Sequence, residues 1–212
     1  MSKRILFQGD SITDCGRHRD NFYGMGEGYP RLVEASLGME NPNEYEFINR
    51  GISGNRIVDL YARIKADFIN LAPDYASIYV GVNDTWHFSG FFGGPEKNWM
   101  PNEYFEECYR YILTEIKEKT NAKIIMIEQF LLYTPDKDFF HVDLDAKIQI
   151  TRKLAREFAD VFIPMDGIFA SHCVGTEPTT WAADGVHPTE AGARLIAGYY
   201  ADAFDKIYAS IK

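Results

Sequence analysis

A chain of 212 residues, 46% hydrophobic and 25% charged, with a formal net charge of −9, has the composition of an ordinary globular protein. Its length suits one large α/β domain that buries roughly 70% of its unfolded surface. The acidic balance argues against a nucleic-acid partner, which needs clustered Lys and Arg, and against an anionic membrane surface. A neutral small molecule is the expected partner. The opening Met-Ser-Lys-Arg is not followed by an apolar stretch with a small-residue cleavage site, so no export signal is expected. No segment approaches the length of a bilayer span. Cys15, Cys108 and Cys173 are far apart and odd in number, which suits free thiols in a reducing cytoplasm.

Apolar runs alternate with helix-period segments along the chain, the pattern of a parallel sheet with crossover helices. The first strand is expected at residues 4–9, around Ile5-Leu6-Phe7, and runs straight into Gly9-Asp10-Ser11-Ile12-Thr13-Asp14. Gly9 is expected to let the backbone bend sharply there, presenting Ser11 past the strand's carboxyl end. A helix at 29–37 places Leu32, Val33 and Leu37 on one side. The strand at 45–49 leads into Gly51-Ile52-Ser53-Gly54-Asn55, and the helix at 57–71 carries a stripe of Ile57, Leu60, Ile64, Phe68 and Leu71. Strands at 75–80 and 123–129 are near-continuous apolar runs, as central strands covered on both faces should be. The first of them ends in Gly81-Val82-Asn83-Asp84.

Segment 86–100, rich in Gly, Phe and Trp, is a long aromatic loop of the kind that carries function. Helices at 102–119 and 144–158, a fifth strand at 161–164 and a helix at 189–211 complete the pattern. That last helix starts at Thr189 after Pro188, with Glu190 close behind. The reading is α/β: a single domain over 1–212, built on a doubly wound five-stranded parallel sheet of flavodoxin-like order 2-1-3-4-5.

The polar residues that follow each strand meet in the crevice at the carboxyl edge of such a sheet. A lone Gly-Asp-Ser is more often just a turn. Here, however, Ser11 is joined by Gly54, by Asn83 and by the Asp184-Gly185-Val186-His187-Pro188 segment ahead of the last helix. That is the inventory of acyl transfer. A serine hydroxyl needs a general base, and His187 is the natural one because the unperturbed pKa of histidine lies near neutral pH. A carboxylate must hold the imidazole in one tautomer, and Asp184, three residues back, can do so if the loop folds into a turn. The backbone N–H groups of Ser11 and Gly54 and the Asn83 side-chain amide are candidate donors to a tetrahedral oxyanion.

These four blocks together resemble the SGNH (GDSL-type) hydrolase family, in the family's order from Ser11 to His187. The resemblance implies Ser11, Asp184 and His187 as catalytic residues and Ser11, Gly54 and Asn83 as the oxyanion hole. Ile12 stands where many members have leucine. More narrowly, Gly-Asp-Ser-Ile-Thr-Asp-Cys-Gly-Arg at 9–17 and Arg-Gly-Ile-Ser-Gly-Asn at 50–55 look like the intracellular acetylxylan esterases of that family. This implies an esterase without a cofactor, acting on an imported acetylated saccharide such as a xylo-oligosaccharide. Alternative readings are a lysophospholipase, thioesterase or arylesterase on the same scaffold, or a non-catalytic carbohydrate-binding protein.

Other residues divide between chemistry and structure. Asp10 and Asp84 are expected to brace their turns, and Asp14 and Arg17 to make turn or salt-bridge contacts, with Arg17 able to reach the pocket rim. Cys15, close to Ser11, is either a second nucleophile or a buried structural thiol. His18, His141 and His172 are expected to be surface or packing residues. No His, Cys, Asp or Glu spacing matches a metal site. Phe22, Tyr23, Trp86, Phe91, Phe92, Trp99 and Trp181 could stack on a sugar or mediate subunit contacts. Trp86, His87 and Trp181 are the substrate-binding candidates. The aromatic insert is expected to support a homo-oligomer.

Overall fold

Alternation along the first strand sets the architecture. Ile5 and Phe7 face one side of the sheet and Leu6 the other, the period of two that a pleated strand imposes. The computed structural model describes residues 2–87 and 100–211, with side chains as far as Ala209. Strand β1 (Lys3–Gly9) lies between β2 (Tyr45–Asn49) and β3 (Tyr75–Tyr79), followed by β4 (Lys123–Ile127) and β5 (Val161–Ile163). Every pairing is parallel, with Phe7 opposite Asn49 on one side and Ser77 on the other. The order β2-β1-β3-β4-β5 is the one expected from the sequence.

Two hydrophobic layers cover the sheet. On one face Phe7, Tyr75, Tyr79, Ile125 and Ile127 pack with α2 (Tyr29–Glu40), α7 (Met165–His172) and α8 (Glu190–Ile211). On the other, Leu6, Ile48, Ile78, Ile124 and Met126 pack with α3 (Ile57–Asp67), α5 (Asn102–Lys119) and α6 (His141–Phe158). All of β3 is buried, as its unbroken apolar run foretold.

The boundaries differ in instructive ways. The helix expected at 57–71 stops at Asp67, and Ile69–Leu71 forms a separate 3₁₀ turn. Strand β4 ends two residues early, at Ile127, and the buried Glu128 beyond it accepts from Arg152 and from the Asp166 N–H. The last helix begins at Glu190, and Thr189 caps it by accepting from the Gly192 N–H at 3.2 Å. Helix α6 starts three residues earlier than its apolar stripe suggests. Two short helices escape the periodicity altogether: α1 (Ser11–Asp14) and α4 (Val82–Trp86). Both sit directly after central strands and carry the polar residues of the crevice. Of the aromatic insert, only Trp86, His87 and Met100 are among the described residues; Phe91, Phe92 and Trp99 lie outside them.

Candidate active site

Ser11 opens α1 immediately after β1, and the turn is made possible by space. Gly9 is not among the residues with positive φ; the sharp bend expected from its conformational freedom is not its role. A Cβ there would lie 2.3 Å from Thr13 Oγ1 and 2.4 Å from the Tyr79 carbonyl oxygen, so glycine lets β1, β3 and α1 converge. Asp10 then caps α1 by accepting from the Ile12 N–H at 3.0 Å. It is 1% exposed, and burial pushes its carboxyl up to about 7. It is a brace, as expected.

A continuous hydrogen-bonded chain leads from the serine. Ser11 Oγ is 2.9 Å from His187 Nε2, and His187 Nδ1 is 2.7 Å from Asp184 Oδ2. The other Asp184 oxygen accepts from the Val186 N–H at 3.0 Å and the His187 N–H at 2.7 Å. These local bonds fold the loop into the turn that the three-residue spacing required. An ionised carboxylate can only accept, so Nδ1 carries the proton in the neutral ring and Nε2 is left to accept from the serine hydroxyl. The bond to Asp184 raises the His187 pKa, against the opposing pull of burial. Burial pushes Asp184 upward, yet the imidazole and the two backbone N–H groups outweigh it and hold the carboxyl well below the usual range.

On the other side of Ser11, Gly54 and Asn83 line the same cleft. Gly54 has φ +83, the left-handed region that favours glycine, with nothing within 4 Å of a Cβ built on it. Its loop is tied down by Asp14, whose Oδ2 accepts from the Ser53 N–H at 2.8 Å and the Ser53 hydroxyl at 2.9 Å. Arg17 Nε donates to the Gly51 carbonyl at 2.8 Å and is absent from the residues lining the cavities. Asp14 and Arg17 are thus more than turn contacts: they fix the loop that carries Gly54. Asn83 comes from α4; its Nδ2 donates to the Asn55 carbonyl at 3.1 Å, which leaves its second amide hydrogen for another acceptor. Asp84 faces away and accepts from the Ile57 N–H at 3.0 Å, bracing the start of α3.

Two clefts meet at this point. One, of about 560 Å³, is lined by Ser53, Gly54, Asn83, Trp86 and His87. The other, of about 440 Å³, lies between α1, α2 and α8 over Tyr29, Leu32, Ala193 and Ile196. Ser11, Cys15, Glu27 and His187 line both. Sequence reasoning missed Glu27, which carries no motif. Cys15 is a free, half-buried thiol, and burial raises its pKa, so it is a weak nucleophile beside Ser11. Among the described residues no group of three or more His, Cys, Asp or Glu is arranged to hold a metal ion, and no helix is long and apolar enough to cross a membrane.

The aromatic candidates separate. Trp86 is 8% exposed, and its ring lies 5.7 Å from the His187 ring; it backs the imidazole and offers the cleft little more than an edge. His87 is exposed at the cleft wall. Trp181 does not join them. It packs 5.2 Å from His172 and against the α8-side core. Phe22 lies over Arg50 at 4.3 Å and the Tyr23 hydroxyl donates to Glu46 at 2.8 Å, both on the outer surface.

Comparison with known proteins points the same way. The sequence model of the GDSL-like lipase/acylhydrolase family matches residues 7–195. An acetylxylan esterase from Geobacillus stearothermophilus is 32% identical over 200 residues, 92% of this chain and 90% of that protein. The crystal structure of Axe2, an acetylxylan esterase from the same organism, superposes with a TM-score of 0.85 at 30% identity, covering 95% of this chain and 93% of that one. Two further Axe2 structures are described as catalytic mutants, one with a serine and one with a histidine changed to alanine. A protein described as a putative GDSL-like lipase from Parabacteroides merdae superposes with a TM-score of 0.83 at 33% identity, covering 97% and 98% of the two chains.

Proposed function

Because the chain belongs to the GDSL-like lipase/acylhydrolase family, we propose that it is a serine esterase that removes acetyl groups from saccharide hydroxyls, with acetylated xylo-oligosaccharides as the substrate class. The observation that carries the proposal is the unbroken chain Asp184–His187–Ser11, facing Gly54 and Asn83 across one cleft. The similarity to an acetylxylan esterase over nine-tenths of the chain supports the choice of substrate.

In this mechanism Ser11 Oγ attacks the ester carbonyl carbon while its proton passes to His187 Nε2. The carbonyl π pair moves to oxygen, and the oxyanion is met by the N–H groups of Ser11 and Gly54 and by Asn83 Nδ2–H. Collapse breaks the bond to the sugar oxygen, which takes the proton from His187 and leaves acetyl-Ser11. Water, deprotonated by His187, attacks that ester; acetate departs and the serine hydroxyl is restored. Asp184 stays ionised and stabilises the imidazolium. The acidic rim residues Glu27 and Glu190 suit a neutral, hydroxyl-bearing leaving group better than an anionic one.

A second reading rests on the apolar floor of the smaller cleft, Leu32, Ala193 and Ile196, which could receive a longer acyl chain. Two assays decide: rates on p-nitrophenyl esters from acetyl to octanoyl, and acetate release from acetylated xylo-oligosaccharides, other acetylated sugars and a lysophospholipid. Acetyl should be the best acyl group, with acetate released from the saccharides. Rates that climb towards octanoyl, or cleavage of the lysophospholipid alone, would overturn the acetylesterase reading in favour of a lipid substrate.

A further inference from the structure

Helix α4 is five residues long, and its capping residue, Gly81, makes no side-chain cap. Isolated helices shorter than ~12–15 residues are marginal in water, so α4 cannot orient itself. At ~100° per residue, Asn83, Asp84, Thr85 and Trp86 point in four directions, and each meets a different partner. Asn83 turns to the Asn55 carbonyl, Asp84 to the Ile57 N–H and Trp86 to the His187 ring. Thr85 Oγ1 donates to Asp143 Oδ2 on α6 at 2.6 Å. Asp143 in turn accepts from Lys147 Nζ on both oxygens, at 2.7 and 2.6 Å, and Lys147 also donates to Asn102 Oδ1 at 3.1 Å. Thr85 is 3% exposed, Asp143 6% and Lys147 0%.

We propose that Thr85, Asp143 and Lys147 are positioning residues that fix the rotation of α4 and hence the aim of the Asn83 amide at the reacting oxygen. The inference rests on the reading of Asn83 as an oxyanion donor. Replacing a buried ion pair by apolar residues of equal volume is often neutral or stabilising, so packing alone does not call for a carboxylate and an ammonium here. What the pair supplies is direction. Asp143, gripped on both oxygens, is a fixed acceptor for the Thr85 hydroxyl, two residues from Asn83. Lys147 joins that acceptor to the start of α5.

The test is steady-state hydrolysis of p-nitrophenyl acetate by purified full-length variants whose folding is checked by circular dichroism. Thr85→Val keeps the side-chain shape and leaves the Asp143–Lys147 pair intact; it should lower kcat about tenfold, since misplacement by ~1 Å can cost about 10² in rate, with KM little changed. Thr85→Ser, which keeps the hydroxyl, should restore most of the rate. In an Asn83→Ala background Thr85→Val should cost almost nothing more, because residues acting through one group are not additive. If Thr85→Val does not fold, Asp143→Leu/Lys147→Met, which replaces the pair by apolar side chains, should give the same kcat loss and the same non-additivity. An unchanged kcat, a change in KM alone, or an equal loss with and without Asn83 would overturn the proposal. Ser11→Ala in the same assay tests the reading beneath it. If that variant keeps its rate, the esterase mechanism falls and this inference with it. If it is dead while Thr85→Val is additive, only the inference falls.

Discussion

The two halves of the crevice are built on opposite plans. The Asp184–His187 turn is shaped mainly from within: the three bonds that the Asp184 carboxylate makes span two or three residues, one outside tie runs from the Leu132 N–H to the Gly185 carbonyl at 2.8 Å, and the imidazole is exposed to the cleft. Helix α4 is shaped from a distance. Its side chains reach Asn55, Ile57 and Asp143, 28, 27 and 58 residues away in the chain, and all five of its residues are buried. A self-contained loop can be recognised from its spacing and damaged without harming the fold. A remotely anchored helix links the site to the core, so changes there register in stability as well as in rate.

Five substitutions sharpen that contrast. Ser11→Ala and His187→Ala should each lower kcat on p-nitrophenyl acetate by about 10⁴–10⁶, with melting temperatures close to that of the parent, since both side chains lie in the open cleft. Asp184→Asn should cost about 10⁴ and also move the pH profile. Asp184 raises the His187 pKa, and the base must be neutral to act. Removing that charge lowers the pKa, so the acid limb of kcat/KM should shift to lower pH even as the rate falls. Across the cleft, Lys147→Ala strands the Asp143 carboxylate in the core and should cost about 3–5 kcal/mol in urea unfolding, the largest stability loss of the set. Asn83→Ala should lower kcat by about 10²–10³ with a smaller effect on stability.

The mildest change is Asp84→Asn. Burial raises the Asp84 pKa to about 8, whereas in the unfolded chain the group ionises near the ordinary carboxylate value. Its contribution to stability is therefore full below that ordinary value and declines as pH rises towards 8. The amide still accepts from the Ile57 N–H but does not titrate. Melting temperature followed from pH 4 to 8 should thus fall less in the variant than in the parent, with activity nearly unchanged.

What could be read from the sequence follows the same division. The five strands, their order and the long amphipathic helices follow from apolar periodicity, which is a local signal. The Asp-x-x-His spacing and the residues after each strand placed Ser11, Gly54, Asn83, Asp184 and His187 at one edge of the sheet, and the structure brings them together there. The short helices α1 and α4 were not legible, because four or five residues are too few to show a helical period. Thr85, Asp143 and Lys147 were illegible for another reason: a buried threonine and an i,i+4 Asp–Lys pair look like an exposed helix face until the fold covers them. Trp181 failed as a pocket residue because proximity in sequence to Asp184 said nothing of the direction in which its ring turns. Gly9 was placed correctly, but its reason is crowding by Thr13 and Tyr79.

The most direct test of the account is to trap the covalent intermediate. The protein would be mixed with an acetylated xylo-oligosaccharide, quenched in acid within the first turnover, digested and mapped by mass spectrometry, with Ser11→Ala treated alongside. The account predicts one acetyl group on the peptide containing Ser11, assigned to that side chain by fragmentation and missing from the variant. Acetyl on Cys15, or deacetylation of the saccharide by Ser11→Ala at the parent rate, would contradict it.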